Sequence, residues 1–192
     1  ATEPFGFGRV FPRGMLREPI EGLSRADVVC LTRSDLVDSC SRTRTRDEAM
    51  RLAPDAIWCE ASHEPARLIT AKGDQRSLAE LQGRRVAAFC GIGNPAAFRR
   101  TLEAAGCDVA SWRPFPDHHR FSAVDEQEIE QLADRSDAEL VVCTHKDLVK
   151  VRAAGGLQEK LAAVVVEMTF LSGQDAFTAK LDQTIAARMQ QG

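Results

Sequence analysis

The residues best suited to chemistry are Asp117, His118 and His119, adjacent in the run Phe115-Pro116-Asp117-His118-His119. An imidazole gives or takes a proton near neutral pH, and a neighbouring carboxylate orients it. Metal ligation is the competing chemistry. Side chains adjacent on an extended segment point to opposite faces, however, so the two histidines do not suit one ion, and no metal ligand is assigned. Pro114 and Pro116 stiffen the loop and argue against an idle solvated segment. Two further clusters carry polar groups. Gly91-Ile92-Gly93-Asn94-Pro95 points a helix start at whatever lies beyond the preceding strand, which suits an anion; the plain alternative is a tight turn that needs small residues. Thr144-His145-Lys146-Asp147 offers Lys146, which can hold a phosphate or pair with a carboxylate, against the alternative of a surface ion pair.

Two candidates lie nearer the amino terminus. Arg9, Arg13 and Arg17, with Glu18, sit in a Gly/Pro-rich opening loop, and a shaped loop of this kind can present guanidinium forks to phosphates. Leu31-Thr32-Arg33-Ser34-Asp35 follows an apolar run and looks like the loop that contacts the nucleotide base in many P-loop NTPases, making Thr32 and Asp35 the candidate nucleotide-binding residues.

The elements that must position these groups follow from apolar patterning. Residues 26–31 form a short buried strand, and 45–53 an arginine-rich helix stopped by Pro54. Residues 56–61 and 66–70 form two short strands, as a hairpin or ribbon. A β/α alternation then sets in. A short helix at 77–82 precedes a strand at 85–90 and a helix capped by Asn94 with Pro95 at its first position. A strand over 108–113 leads to a helix from Ser122 to Ala133, with Asp125 completing a capping-box-like start. Strands follow at 139–144 and 162–168, and a last helix at about 174–189 spaces Phe177, Leu181, Ile185 and Met189 four apart. Alternation of this kind predicts an α/β fold, a parallel doubly wound Rossmann-like αβα domain. In such sheets ligands sit outside the carboxyl ends of the strands, where Gly91–Asn94, Asp117–His119 and Thr144–Asp147 all fall.

Composition narrows the class. Of the 192 residues 44% are hydrophobic and 28% charged, an ordinary globular balance. A net charge of −3 speaks against a general nucleic-acid binder. The six cysteines form no C-x-x-C pair and several lie in apolar runs, which fits reduced, buried thiols. No apolar run reaches the roughly 18–20 residues of a membrane span. The chain opens with Ala1, without a signal peptide, and its first residues read as the middle of a loop.

Four segments in order, Phe5-Gly6-Phe7-Gly8-Arg9-Val10-Phe11-Pro12-Arg13-Gly14-Met15-Leu16-Arg17-Glu18-Pro19, Phe89-Cys90-Gly91-Ile92-Gly93-Asn94-Pro95, Phe115-Pro116-Asp117-His118-His119 and Thr144-His145-Lys146-Asp147, resemble the tetraacyldisaccharide 4′-kinase family. The resemblance implies a P-loop kinase domain and a second α/β domain joined by a small β ribbon, with the active site between them. Residues 1–40 would be the tail of the P-loop domain, 41–77 the connecting helix and ribbon, and 78–192 the Rossmann-like domain. It implies transfer of the ATP γ-phosphate, with Mg²⁺, to the 4′-hydroxyl of a lipid A precursor at the cytoplasmic face of the inner membrane in Gram-negative-type bacteria. His118 matches the family histidine that pairs with an aspartate of the other domain. Asp117 would orient it, and Arg9, Arg13, Arg17, Gly91, Gly93, Asn94 and Lys146 would shape the acceptor site. No G-x-x-x-x-G-K-[ST] loop occurs in these residues. The phosphate cradle is therefore expected in a missing amino-terminal half, and the 192 residues alone are expected to be inactive. Two other functions compete: a non-catalytic Rossmann-like module for a sugar phosphate or nucleotide, and a metal-dependent phosphoesterase built on Asp-His-His, which would need further aspartates at other strand ends.

Overall fold

A computed structural model describes residues 3–190. In chain order the elements are β1 (Val28–Thr32), α1 (Ser39–Leu52), β2 (Ile57–Thr70), β3 (Gln75–Ser77), β4 (Arg85–Cys90), α2 (Pro95–Ala104), β5 (Asp108–Pro114), α3 (Ala123–Arg135), β6 (Leu140–Thr144), α4 (His145–Leu148), α5 (Gly156–Lys160), β7 (Leu161–Ser172) and α6 (Gln174–Met189). The chain divides into two compact units, one of Ala1–Glu64 with Met168–Gly192 and one of Pro65–Glu167; β2 and β7 each run from one into the other.

Within Pro65–Glu167, β4 is flanked by β5 on one side and β6 on the other, and β6 by β7, all parallel. The alternation along β4 explains why. Val86, Ala88 and Cys90 face one way, onto Leu81 and the Phe98 and Leu102 side of α2. Ala87 and Phe89 face the other way, onto Ile129 and Ala133 of α3 and Leu157 of α5. A strand buried on both faces needs apolar residues at both parities, and 86–90 supplies them. The chain goes from β4 through α2 to β5, then returns through α3 to β6 on the far side of β4. The winding reverses there, so the gap beyond β4 and β6 is the topological switch point, where such folds bind ligands.

The helix starts follow local rules. Asn94 Oδ1 accepts from the Ala97 amide at 3.1 Å, with Pro95 in the first turn. Ser122 and Asp125 form a reciprocal capping box at α3.

Within the other unit, β1 pairs in parallel with β2, from Val28 against Ile57 to Thr32 against Ala61. The expected hairpin at 56–61 and 66–70 is instead one continuous strand, β2, because Ser62 to Pro65 stay extended. Ser62 is fully buried and donates from Oγ to Glu64 at 2.9 Å. β2 pairs antiparallel with β3, from Arg67 against Ser77 to Ile69 against Gln75, and also with β7, where Ala71 N donates to Leu161 O at 3.0 Å and Arg67 pairs with Glu167, so those two run antiparallel as well. The helix expected at 45–53 starts earlier, at Ser39, because Asp38 caps it through the Ser41 amide at 2.9 Å. The strand expected at 162–168 extends to Ser172; its first five residues are buried and most of the rest exposed. Of α6, no residue is buried. No described helix is long and apolar enough to cross a membrane.

Candidate functional site

Beyond the carboxyl ends of β4 and β6 the structure brings six of the sequence candidates together, all within Pro65–Glu167. Their centre is the Asp117 carboxylate. Its Oδ1 accepts from the Lys146 ammonium at 3.2 Å and from the His118 backbone amide at 2.9 Å. Its Oδ2 lies 3.7 Å from His118 Nε2, beyond hydrogen-bond reach. Hydrogen bonding to Lys146 comes first among the causes that lower the Asp117 pKa, and the His118 amide adds to it. Lys146 thus pairs with a carboxylate, and because both side chains are part-exposed the contact is equally the surface ion pair given as the alternative.

The two histidines separate, as adjacent side chains should. His118 adopts a left-handed backbone, φ 61°, and its side chain is 79% exposed. A non-glycine residue held there is strained, which is common where a side chain is aimed for use. His119 turns inward. It stacks on Phe115 with ring centroids 4.7 Å apart, meets Phe121 edge-on, and reaches Asp125 Oδ2 at 3.2 Å. His119 therefore clamps the loop to the start of α3, and His118 is the imidazole left free. The Asp125 carboxyl is held below its ordinary pKa, by the Ser122 amide first and the Ser122 hydroxyl next, with His119 contributing.

The glycine turn fits against this loop. A Cβ on Gly93 would stand 3.2 Å from Asp117 Oδ2 and meet little else. A Cβ on Gly91 would be hemmed in by Asp147 Oδ1 and His119 Cβ at 3.3 Å and by Pro116 O at 3.4 Å. Within the turn expected to suit an anion, the Gly91 amide is already bonded to Asp147 Oδ2 at 2.9 Å, so Gly91 shapes the turn without a free donor. Asn94 is exposed, with its oxygen spent on the α2 cap.

Sequence reasoning reads Asp147 as the anion of the Thr144–Asp147 cluster and assigns it no role. It is fully buried and accepts from Gly91 N, from Thr144 Oγ1 at 2.7 Å and from Lys150 Nζ at 3.2 Å. The signal was available: Thr144 and Asp147 have the Ser/Thr-x-x-acid spacing of a capped helix start.

The remaining candidates belong to the other unit. Arg9, Arg13 and Arg17 are exposed. Their loop is knitted by Leu16 N to Arg9 O at 3.2 Å and Met15 N to Gly6 O at 3.1 Å. Gly14 is obligatory there, because a Cβ would stand 2.1 Å from Arg9 O. Arg17 also lines a cavity of about 510 Å³ with Phe5, Leu16, Ile20, Val29 and Trp58. Thr32 and Asp35 are exposed at the end of β1, either side of Arg33, which has φ 53°, and the buried Ser34. A hydroxyl and a carboxylate suit the polar edge of a nucleotide base. The glycine–lysine loop that would cradle its phosphates does not occur in these residues.

The family model described as tetraacyldisaccharide-1-P 4′-kinase matches residues 1–186. The chain belongs to that family. Among its relatives, the tetraacyldisaccharide 4′-kinase of Anaeromyxobacter sp. (strain K) is 41% identical over 99% of this chain and 51% of its own length. That of Syntrophus aciditrophicus is 37% identical over 84% of this chain and 44% of its own. The chain thus spans about half the length of the curated relatives it matches. A crystal structure of LpxK from Aquifex aeolicus in complex with ATP shares the fold, with a TM-score of 0.62 and 23% identity over 88% of this chain and 46% of that one.

Proposed function

We propose that these residues act within a longer tetraacyldisaccharide 4′-kinase chain, where they supply the acceptor side of phosphoryl transfer from ATP to the 4′-hydroxyl of a tetraacyldisaccharide 1-phosphate. The observation that carries this is the exposed His118, set at the sheet's switch point on a carboxylate that Lys146 pins. Family membership and the half-length match support it.

Phosphoryl transfer is mostly positioning and charge neutralisation. ATP supplies the phosphoryl group and Mg²⁺ neutralises its oxygens; both would be held by an amino-terminal half bearing the P-loop, with Thr32 and Asp35 at the base. In this half, His118 supports the removal of the proton from the sugar hydroxyl. Asp117 holds the His118 backbone and places a negative charge near its ring, and Lys146 fixes Asp117. The turn at Gly91, Gly93 and Asn94 shapes the acceptor side next to His118, and Arg9, Arg13 and Arg17, in the other unit, offer guanidinium forks to a phosphate of the glycolipid. The enzyme works as a peripheral protein at the cytoplasmic face of the inner membrane.

Replacing His118 by Ala in the whole enzyme lowers kcat by about 10²-fold, the scale of a positioned proton-transfer group, and leaves the KM for ATP nearly unchanged. Unaltered turnover would remove His118 from the chemistry. For the 192 residues by themselves a non-catalytic binding module remains the second reading, favoured by the lack of a phosphate cradle. The inward turn of His119 disfavours an Asp-His-His metal hydrolase.

A further inference from the structure

We propose that Asp147 is the positioning residue of this site: it ties the ends of β4 and β6 together and, through α4, holds Lys146 against Asp117. Only the predicted effect on turnover rests on the kinase reading; the geometry lies wholly within residues 65–167.

Three donors from three segments converge on the buried carboxylate. They are the Gly91 amide just beyond β4, the Thr144 hydroxyl at the end of β6, and the Lys150 ammonium just beyond α4. The Asp147 amide returns a bond to Thr144 Oγ1 at 3.2 Å, so the four-residue α4 is closed on itself. Lys146 stands on that turn, next to Asp147, and reaches Asp117. Asp147 also touches the site from behind: the space a Gly91 Cβ would need is bounded by Asp147 Oδ1, His119 Cβ and Pro116 O. The hub, the glycine turn and the His118 loop therefore meet at one point.

Stability alone does not account for such a group. A buried ionic cluster is on average no better for stability than apolar residues of the same shape, although breaking one is costly. The Cys90 thiol is pushed up to about 11, by burial first and by Asp147 next, and Cys143 rises well above the usual thiol range for the same two reasons. What the cluster gives in return is location, since three directional bonds fix the crevice between β4 and β6 where the winding reverses.

The test reads Asp117 directly. In the 192-residue chain, carbon-13 NMR of the Asp117 carboxyl is followed against pH in wild type, Asp147→Asn, Lys146→Met and the double variant. The titratable groups facing Asp117 are Lys146 from α4 and His118 from its own loop. Lys146→Met raises the Asp117 midpoint. Asp147→Asn raises it in the same direction, and the double variant shows no further rise, because both changes break one linkage. A folded Asp147→Asn with the wild-type midpoint overturns the proposal. Should Asp147→Asn fail to fold, Thr144→Val removes one of the three bonds, and the same shift or its absence decides. In the whole enzyme Asp147→Asn lowers kcat by about 10²-fold, the scale of a 1 Å misplacement, at nearly unchanged ATP KM. A shifted Asp117 with unchanged turnover upholds the positioning role and rejects the kinase reading of the site. Lost turnover with an unshifted Asp117 rejects the positioning role.

Discussion

The two glycines of the site turn are small for different reasons, and the difference can be measured. Gly91 is enclosed on three sides, by the buried Asp147, the loop backbone at Pro116 and His119. Gly91→Ala must displace packed atoms, and costs about 1–3 kcal/mol of stability in urea unfolding, the usual range for overpacking. Gly93 faces only the end of the Asp117 side chain. Gly93→Ala keeps stability within about 0.5 kcal/mol of wild type but pushes the Asp117 carboxylate aside, and so lowers turnover in the whole enzyme. Equal losses of stability in the two variants would contradict the distinction. Residue types and spacing reveal much at this scale: Asp117, His118 and Lys146 are legible as polar groups at strand ends. Which imidazole is free is not. It depends on Phe115 and Phe121 packing around His119, a three-dimensional event with no local signature. Asp147 was legible only as a helix cap, because a fully buried carboxylate looks in sequence like any surface acid.

At the scale of elements, caps and parity decide most of the structure. The starts of α2 and α3 follow directly from Asn94-Pro95 and Ser122-x-x-Asp125. The two-faced burial of β4 follows from apolar residues at every position from Val86 to Cys90. The single strand β2 escaped sequence reading because the Ser62-His63-Glu64-Pro65 segment has the composition of a turn. Its straightness comes from pairing with β7 and from the buried Ser62, neither visible locally. The cap of α3 also sets a pH response. The Asp125 carboxyl titrates lower when folded than unfolded. Its stabilisation is therefore complete above the ordinary carboxylate range near about 3.9 and disappears as pH falls through the lowered folded value. Ser122→Ala destabilises by about 0.5–2 kcal/mol at neutral pH. Asp125→Asn reduces the slope of stability against pH on the acid side, followed by circular dichroism. An unchanged acid slope would mean that the cap does not couple to folding.

For the molecule as a whole, the family is legible from four ordered segments, whereas the division into two compact units is not. Residues 168–192 follow the last strand of the parallel sheet in sequence, yet they group with residues 1–64. That grouping depends on β7 running twelve residues, longer than its buried stretch. The unit of Ala1–Glu64 and Met168–Gly192 also carries apolar surface. β1 stands at the edge of its sheet, and Leu181, Ile185 and Met189 on α6 are about half exposed or more. Such surface invites association. The most direct test of the central claim is a kinase assay with ATP and a tetraacyldisaccharide 1-phosphate, using this chain alone and fused to the P-loop-bearing half of a relative. The expected result is no transfer by the chain alone, transfer by the fusion, and loss of about 10²-fold in the fusion's kcat on His118→Ala. Transfer by the chain alone, or full turnover by the His118→Ala fusion, would contradict it.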